Sequence, residues 1–250
     1  MMMFLTKVSL WDVVKKQLRF KVKSYRGTFT SLMVLQIIGL LFSVGGEGGF
    51  SGGSDNFSYA MTDYSSNILF ALMMMWSFIS AIVITTKAYR FDDYTFVANR
   101  MSSHIANIFF ICLSSIIGGI TFLLASQSIK LVSLFIQDSE IILTQPPTIL
   151  QLTSGTAATI FYLFLFAAIG YLVGTLVQKS RLFVIILPAG FIGLLFLNVF
   201  LAGESDVVVD VGQFFGRETS FLLFAVKVLV VSALAFAASL WMSNRMEVRQ

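Results

Sequence analysis

The sequence predicts an all-α integral membrane protein: a single domain of six transmembrane helices behind an amphipathic interfacial helix, with both termini cytoplasmic. Three observations predict it. Of 250 residues, 57% are hydrophobic and only 12% are charged, against about 25% charged in soluble domains. Six apolar stretches reach or approach the roughly 20 residues that carry a helix across the hydrocarbon core. The Lys and Arg residues between those stretches fall almost wholly on one side, the side that stays in the cytoplasm. The alternation of an outer-membrane barrel is absent. Each stretch must therefore pair its backbone polar groups internally, as a helix.

The chain opens on residues 8–25, VSLWDVVKKQLRFKVKSY. Trp11, Val14, Leu18, Val22 and Tyr25 recur at helical spacing, while Lys15, Lys16, Arg19 and Lys23 fall on the opposite side. That pattern predicts a basic helix lying in the membrane interface, Trp side down, as an orientation anchor. It is broken by charges and is not a secretory signal. The spans follow at about 28–44, 67–86, 104–126, 156–177, 182–201 and 220–242. The first is short. The apolar pattern of the third continues past Ser126 through SIKLVSLFIQ and stops before Pro146-Pro147.

Basic residues set the orientation. Lys7, Lys15, Lys16, Arg19, Lys21, Lys23 and Arg26 precede the first span. Lys87, Arg90, Arg100, Lys179, Arg181, Arg245 and Arg249 share its starting side. The other side holds Lys130 and Arg217 among acids such as Glu47, Asp55, Asp63, Asp138, Glu204 and Glu218. The net charge of +4 thus reflects a basic rim facing anionic lipid, not nucleic-acid binding.

The first outer loop, GGEGGFSGGSDNFSYAMTDYSS, is rich in Gly and Ser and is expected to be flexible. Its GGEGG follows no strand, opens no nucleotide-binding helix and faces outward, so it is no phosphate loop. In the last outer loop, 202–219, a short helix, a strand and a re-entrant turn all fit the mixture of apolar and acidic residues.

Little chemistry resides in the spans. His104 is the only histidine and Cys112 the only cysteine, too few for an HExxH zinc site or a disulfide. There is no GxSxG and no GxxxxGK[ST]. Asp92-Asp93 read as a solvated turn rather than an acid–base pair. An enzyme is not expected, nor any directly bound cofactor or metal. The one charge inside a span is Lys227, read as an anchor whose stem reaches toward the outer surface, or else as a contact for a transported molecule. Gln36 and Asn198 are polar groups that join helices or line a path. Gly170 and Gly174 form a small-xxx-small pair for close helix approach, within the chain or across a dimer. Pro188 predicts a kink in the fifth span.

The informative segment is the inner loop, 87–103, containing RFDDYTFVANRMSSH. Aromatics and arginine are enriched at protein interfaces, and Phe91, Tyr94 and Phe96 interleave here with Asp92, Asp93, Asn99 and Arg100. A docking helix and a helix at headgroup depth fit that composition equally well.

A basic amphipathic helix before six spans, the mixed inner segment YRFDDYTFVANRMSSHIANI and a small inner KSR turn together resemble the membrane subunits of type-2 ABC exporters. The likeness is closest to the small stand-alone permeases of Gram-positive bacteria. It covers nearly the whole chain in layout. It implies an elbow helix carrying Trp11, Val14, Lys15, Leu18 and Arg19. It also implies a coupling helix in which Arg90, Phe91, Asp92, Asp93, Tyr94, Phe96, Asn99 and Arg100 meet a separate ATP-binding subunit. ATP and Mg would bind that subunit. A second permease copy, or a related permease, would complete a path in the bacterial plasma membrane for an amphipathic peptide, a lipid-like molecule or a drug. Residues 202–219 stand where the family has its outer gate, but their Val-Asp alternation departs from it. The other reading is a non-transporting scaffold, sensor or peptide-immunity protein whose inner loop binds a signalling partner.

Overall fold

The computed structural model describes residues 9–44, 48–54, 57–63, 66–89, 100–136, 148–200, 207–216, 218 and 220–244. Among them the architecture is a helical bundle with one small hairpin. Five helices are long and apolar enough to cross a membrane, which makes this a multi-pass membrane protein by length and composition.

Helix α1, Leu10–Ser24, is capped by Ser9, whose hydroxyl accepts from the Asp12 N–H, satisfying one of the orphan donors of a helix start. One residue, Tyr25, separates it from α2, Arg26–Val44. The α1 stop is marked by the Tyr25 N–H donating back to the Lys21 carbonyl at 2.9 Å. Two antiparallel strands follow, β1 Gly48–Ser54 and β2 Phe57–Asp63, in register from Gly48↔Asp63 to Ser54↔Phe57. The outer loop expected to be flexible therefore forms a hairpin. FSYAMTD supplies aromatic and β-branched residues that favour a strand, and only residues 55 and 56 separate the two strands.

Helix α3, Asn67–Thr85, leads back toward the inner loop. Helix α4, Arg100–Ile136, has 37 residues and is about 55 Å long at 1.5 Å per residue. It overruns the expected third span at both ends. The SIKLVSLFI continuation is helical, and MSSH belongs to the first turns. Helix α5, Ile149–Lys179, also begins earlier than expected. Its start is a capping box, with the Thr148 N–H donating to Gln151 Oε1 at 2.9 Å, set directly after the two prolines. Helices α6, Phe183–Phe200, α7, Val207–Gly216, and α8, Phe221–Asn244, complete the order. The 202–219 stretch thus contains a helix, and α6 runs through Pro188.

The centre of the bundle is α5, packed against α3, α8 and α4. Glycine makes the tightest of these approaches possible. A Cβ at Gly170 would stand 2.3 Å from the Phe78 carbonyl oxygen, and one at Gly174 would stand 2.2 Å from Thr85 Oγ1. The pair therefore serves the α3–α5 contact inside this chain. Beside it, Ser77 Oγ donates to the Leu163 carbonyl at 3.0 Å. The core around this seam includes Ala81, Ile84, Phe110, Ala168, Tyr171 and Phe236. Helix α6 packs only lightly on its neighbours, and Val184, Ile185, Ile186 and Ile192 are exposed.

Candidate functional site: a buried polar cluster behind the inner loop

The amphipathic helix packs on the bundle through a face rotated from its aromatic stripe. Its buried seam is Val14, Gln17, Lys21 and then Tyr25, spaced three and four residues apart as one helical face requires. Trp11 is 49% exposed and Leu18 only partly covered. The seam packs against α4, where Trp11 meets Phe109 edge-on at 5.5 Å. Lys15 lies 5.7 Å over the Trp11 ring, and Lys15, Lys16, Arg19 and Lys23 remain exposed.

Burial of Lys21, 0% exposed, demands compensation, since an ammonium taken out of water is costly without partners. Lys21 Nζ donates to Asn107 Oδ1 at 2.6 Å. Asn107 Nδ2 donates to the Tyr171 hydroxyl at 3.2 Å. The Tyr171 oxygen stands 2.7 Å from His104 Nδ1. Donor chemistry orders this chain. The ammonium only donates, so it faces the Asn107 carbonyl, and the Asn107 amide must then donate to Tyr171. Between the Tyr171 hydroxyl and His104 Nδ1 the donor is set by the imidazole tautomer. Three separate elements, α1, α4 and α5, are tied together by these contacts.

Aromatic rings wall the cluster. Tyr25 meets Tyr89 at 4.4 Å and Phe110 at 5.6 Å between ring centroids, and Lys21 lies 5.6 Å over the Tyr25 ring. Tyr171 packs on Phe236 of α8 at 5.7 Å. Tyr89 is the last described residue before the inner segment, and Arg100 is the first after it. Both roots of the inner loop thus engage one cluster: Tyr89 through Tyr25, and the first turns of α4 through Lys21 and Tyr171.

The remaining expected site residues separate into groups. Arg90, Phe91, Asp92, Asp93, Tyr94, Phe96 and Asn99 lie outside the described residues, and Arg100 opens α4. Gln36 Nε2 donates to Thr121 Oγ1 at 2.8 Å and lies 3.6 Å from Met73 Sδ, joining α2, α3 and α4. Asn198 falls within α6, its side chain outside the described residues. Lys227 is paired with Glu218, donates to the Phe214 carbonyl at 3.3 Å and lies 4.0 Å over the Phe214 ring. It fastens α7 to α8, while the Tyr162 hydroxyl of α5 donates to the Phe215 carbonyl of α7 at 3.4 Å.

Reading the sequence alone missed Lys21, Asn107 and Tyr171. A signal existed for the first: Gln17 and Lys21 complete a 14/17/21/25 stripe. Chemically, the cluster has the character of a joint. It holds no group of three or more metal-ligating side chains among the described residues, and its contacts run from α1 through α4 to α5. No protein-family model, no curated protein and no solved structure matches this chain.

Proposed function

We propose that this chain is the membrane subunit of an ATP-driven exporter, of the kind its layout resembles, with a separate ATP-binding subunit docked on the inner segment. In this reading α6, fifth in chain order, is also a span and brings the total to six: its 18 residues cover about 27 Å, close to the roughly 30 Å hydrocarbon core. Both termini are then cytoplasmic, as the basic residues require, and the membrane is a bacterial plasma membrane. A second copy, or a related permease, supplies the other wall of the path.

The observation that supports the reading is the common anchoring of both roots of the inner loop. Work done on residues 90–99 by a partner needs a stiff route into the spans. A ligand or partner shifts a membrane protein between states only through unequal affinity for them. Tyr25–Tyr89 on one root, and Lys21–Asn107–Tyr171–His104 on the other, provide such a route into α1, α4 and α5 at once. Phe91, Tyr94 and Phe96 supply packing on the partner, while Asp92, Asp93 and Arg100 set its register.

Co-purification tests the proposal. The chain extracted in mild detergent should bring a stoichiometric ATP-hydrolysing protein. Phe91→Ala, Tyr94→Ala and Phe96→Ala combined should release it while the chain still inserts in the membrane. A chain that purifies alone, or with a kinase or protease, refutes the exporter reading and favours a scaffold or sensor.

A further inference from the structure

We infer that the bundle holds one ordered water between α3 and α4, hydrogen-bonded to the Ser114 hydroxyl. The site is independent of the exporter reading. Serine within an apolar helix ordinarily donates to a carbonyl three or four residues back, and this chain follows the habit repeatedly: Ser115 Oγ donates to the Ile111 carbonyl at 2.9 Å, and Ser239 Oγ to the Ala235 carbonyl at 2.8 Å. Ser114 departs from it. The residue is 7% exposed, and its hydroxyl has no hydrogen-bond partner among the described residues. A buried hydroxyl left in that condition is costly.

Ser114 lines a cavity of about 10 Å³ with Thr28, Ser77, Ser80 and Ser115. That is roughly the space one water needs. Donor and acceptor capacities then balance at Ser77, Ser114 and Ser115. Ser77 has given its proton to a backbone carbonyl, either Leu163 at 3.0 Å or Met74 at 3.1 Å, and Ser115 has given its proton to Ile111. Each hydroxyl oxygen therefore offers lone pairs only. Ser114 has a proton to give. A water accepting from Ser114 and donating its two protons toward Ser77 and Ser115 satisfies all three. Ser77 is 4% and Ser115 2% exposed, so both acceptors are buried. Because Ser77 also reaches the α5 backbone, this water would brace the helices just beyond the Ala81–Ile111 core.

The test is an experimental density map of the wild-type protein in a lipid nanodisc, sharp enough to show ordered waters. The inference expects a water peak within about 3.2 Å of Ser114 Oγ. Ser114 turned back onto the Phe110 carbonyl, with no peak in the cavity, overturns it. Thermal unfolding of Ser114→Ala gives a second, independent sign. A bound water loses a partner and the midpoint falls. In a dry cavity the substitution removes an unsatisfied hydroxyl, so the midpoint is unchanged or rises, and the inference fails.

Discussion

Lys21 and Asn107, 86 residues apart in sequence, share a buried hydrogen bond of 2.6 Å. This contact turns a helix that reads as a peripheral anchor into a structural part of the bundle. It also places Lys21 over the Tyr25 ring, which in turn meets Tyr89. The contact couples α1 to α4.

Removing the acceptor should cost more than removing the pair. Asn107→Leu leaves the Lys21 ammonium buried without the Asn107 carbonyl and should destabilise by about 1.5–3 kcal/mol, the range for hydrogen bonds to charged groups. Lys21→Met keeps most of the side-chain volume. The double variant should recover part of the Asn107→Leu loss, because replacing both partners by apolar groups is the milder change. Unfolding midpoints of the four proteins in one detergent give the coupling. Additive losses would show that the two residues do not interact.

The Tyr171–His104 contact is read at the imidazole. Nitrogen-15 spectra of the protein labelled at its single histidine should show an Nδ1 resonance that shifts in Tyr171→Phe, which removes the hydroxyl 2.7 Å from that nitrogen. An Nδ1 resonance unchanged by Tyr171→Phe would contradict the contact.

Glycine contacts separate packed from open positions. Gly170→Ala places a Cβ 2.3 Å from a backbone oxygen of α3, which no rotamer change relieves. A loss of about 1–3 kcal/mol is expected. Gly155 has nothing within 4 Å of its Cβ position, so Gly155→Ala should stabilise by up to about 1 kcal/mol through helix propensity. Equal effects in an unfolding assay would contradict the α3–α5 seam.

How much of this was legible beforehand follows from the physics of each signal. The five span-length helices announce themselves through apolar runs, because lipid tolerates little else. The Thr148–Gln151 cap after Pro146-Pro147 is an equally local signal, but the apolar run alone set the expected start at 156. The seam of α1 was harder. The stripe of Trp11, Val14, Leu18, Val22 and Tyr25 shares Val14 and Tyr25 with the buried seam, so periodicity alone could not separate two faces rotated by one position. Asn107 and Tyr171 meet across 64 residues, and nothing in local spacing records such a contact. The hairpin was hidden for the same reason: the glycines of β1 suggest a loop until FSYAMTD is set opposite them in register.

The acidic partner of Lys227 was likewise visible only in three dimensions. Charge reversal tests the tether. A spin label at Gln213 on α7 should gain motion in Lys227→Glu and in Glu218→Lys. It should return toward wild type in the double variant Lys227→Glu/Glu218→Lys. Unchanged spectra in both single variants would mean that α7 is held without the pair.

The most direct measurement concerns what touches the inner segment in a living cell. A photo-crosslinking amino acid at Tyr94 would report its neighbour covalently. The account predicts an adduct with an ATP-binding protein that forms in intact cells and weakens with Phe91→Ala. An adduct only with lipid, or only with this chain's own helices, would contradict it.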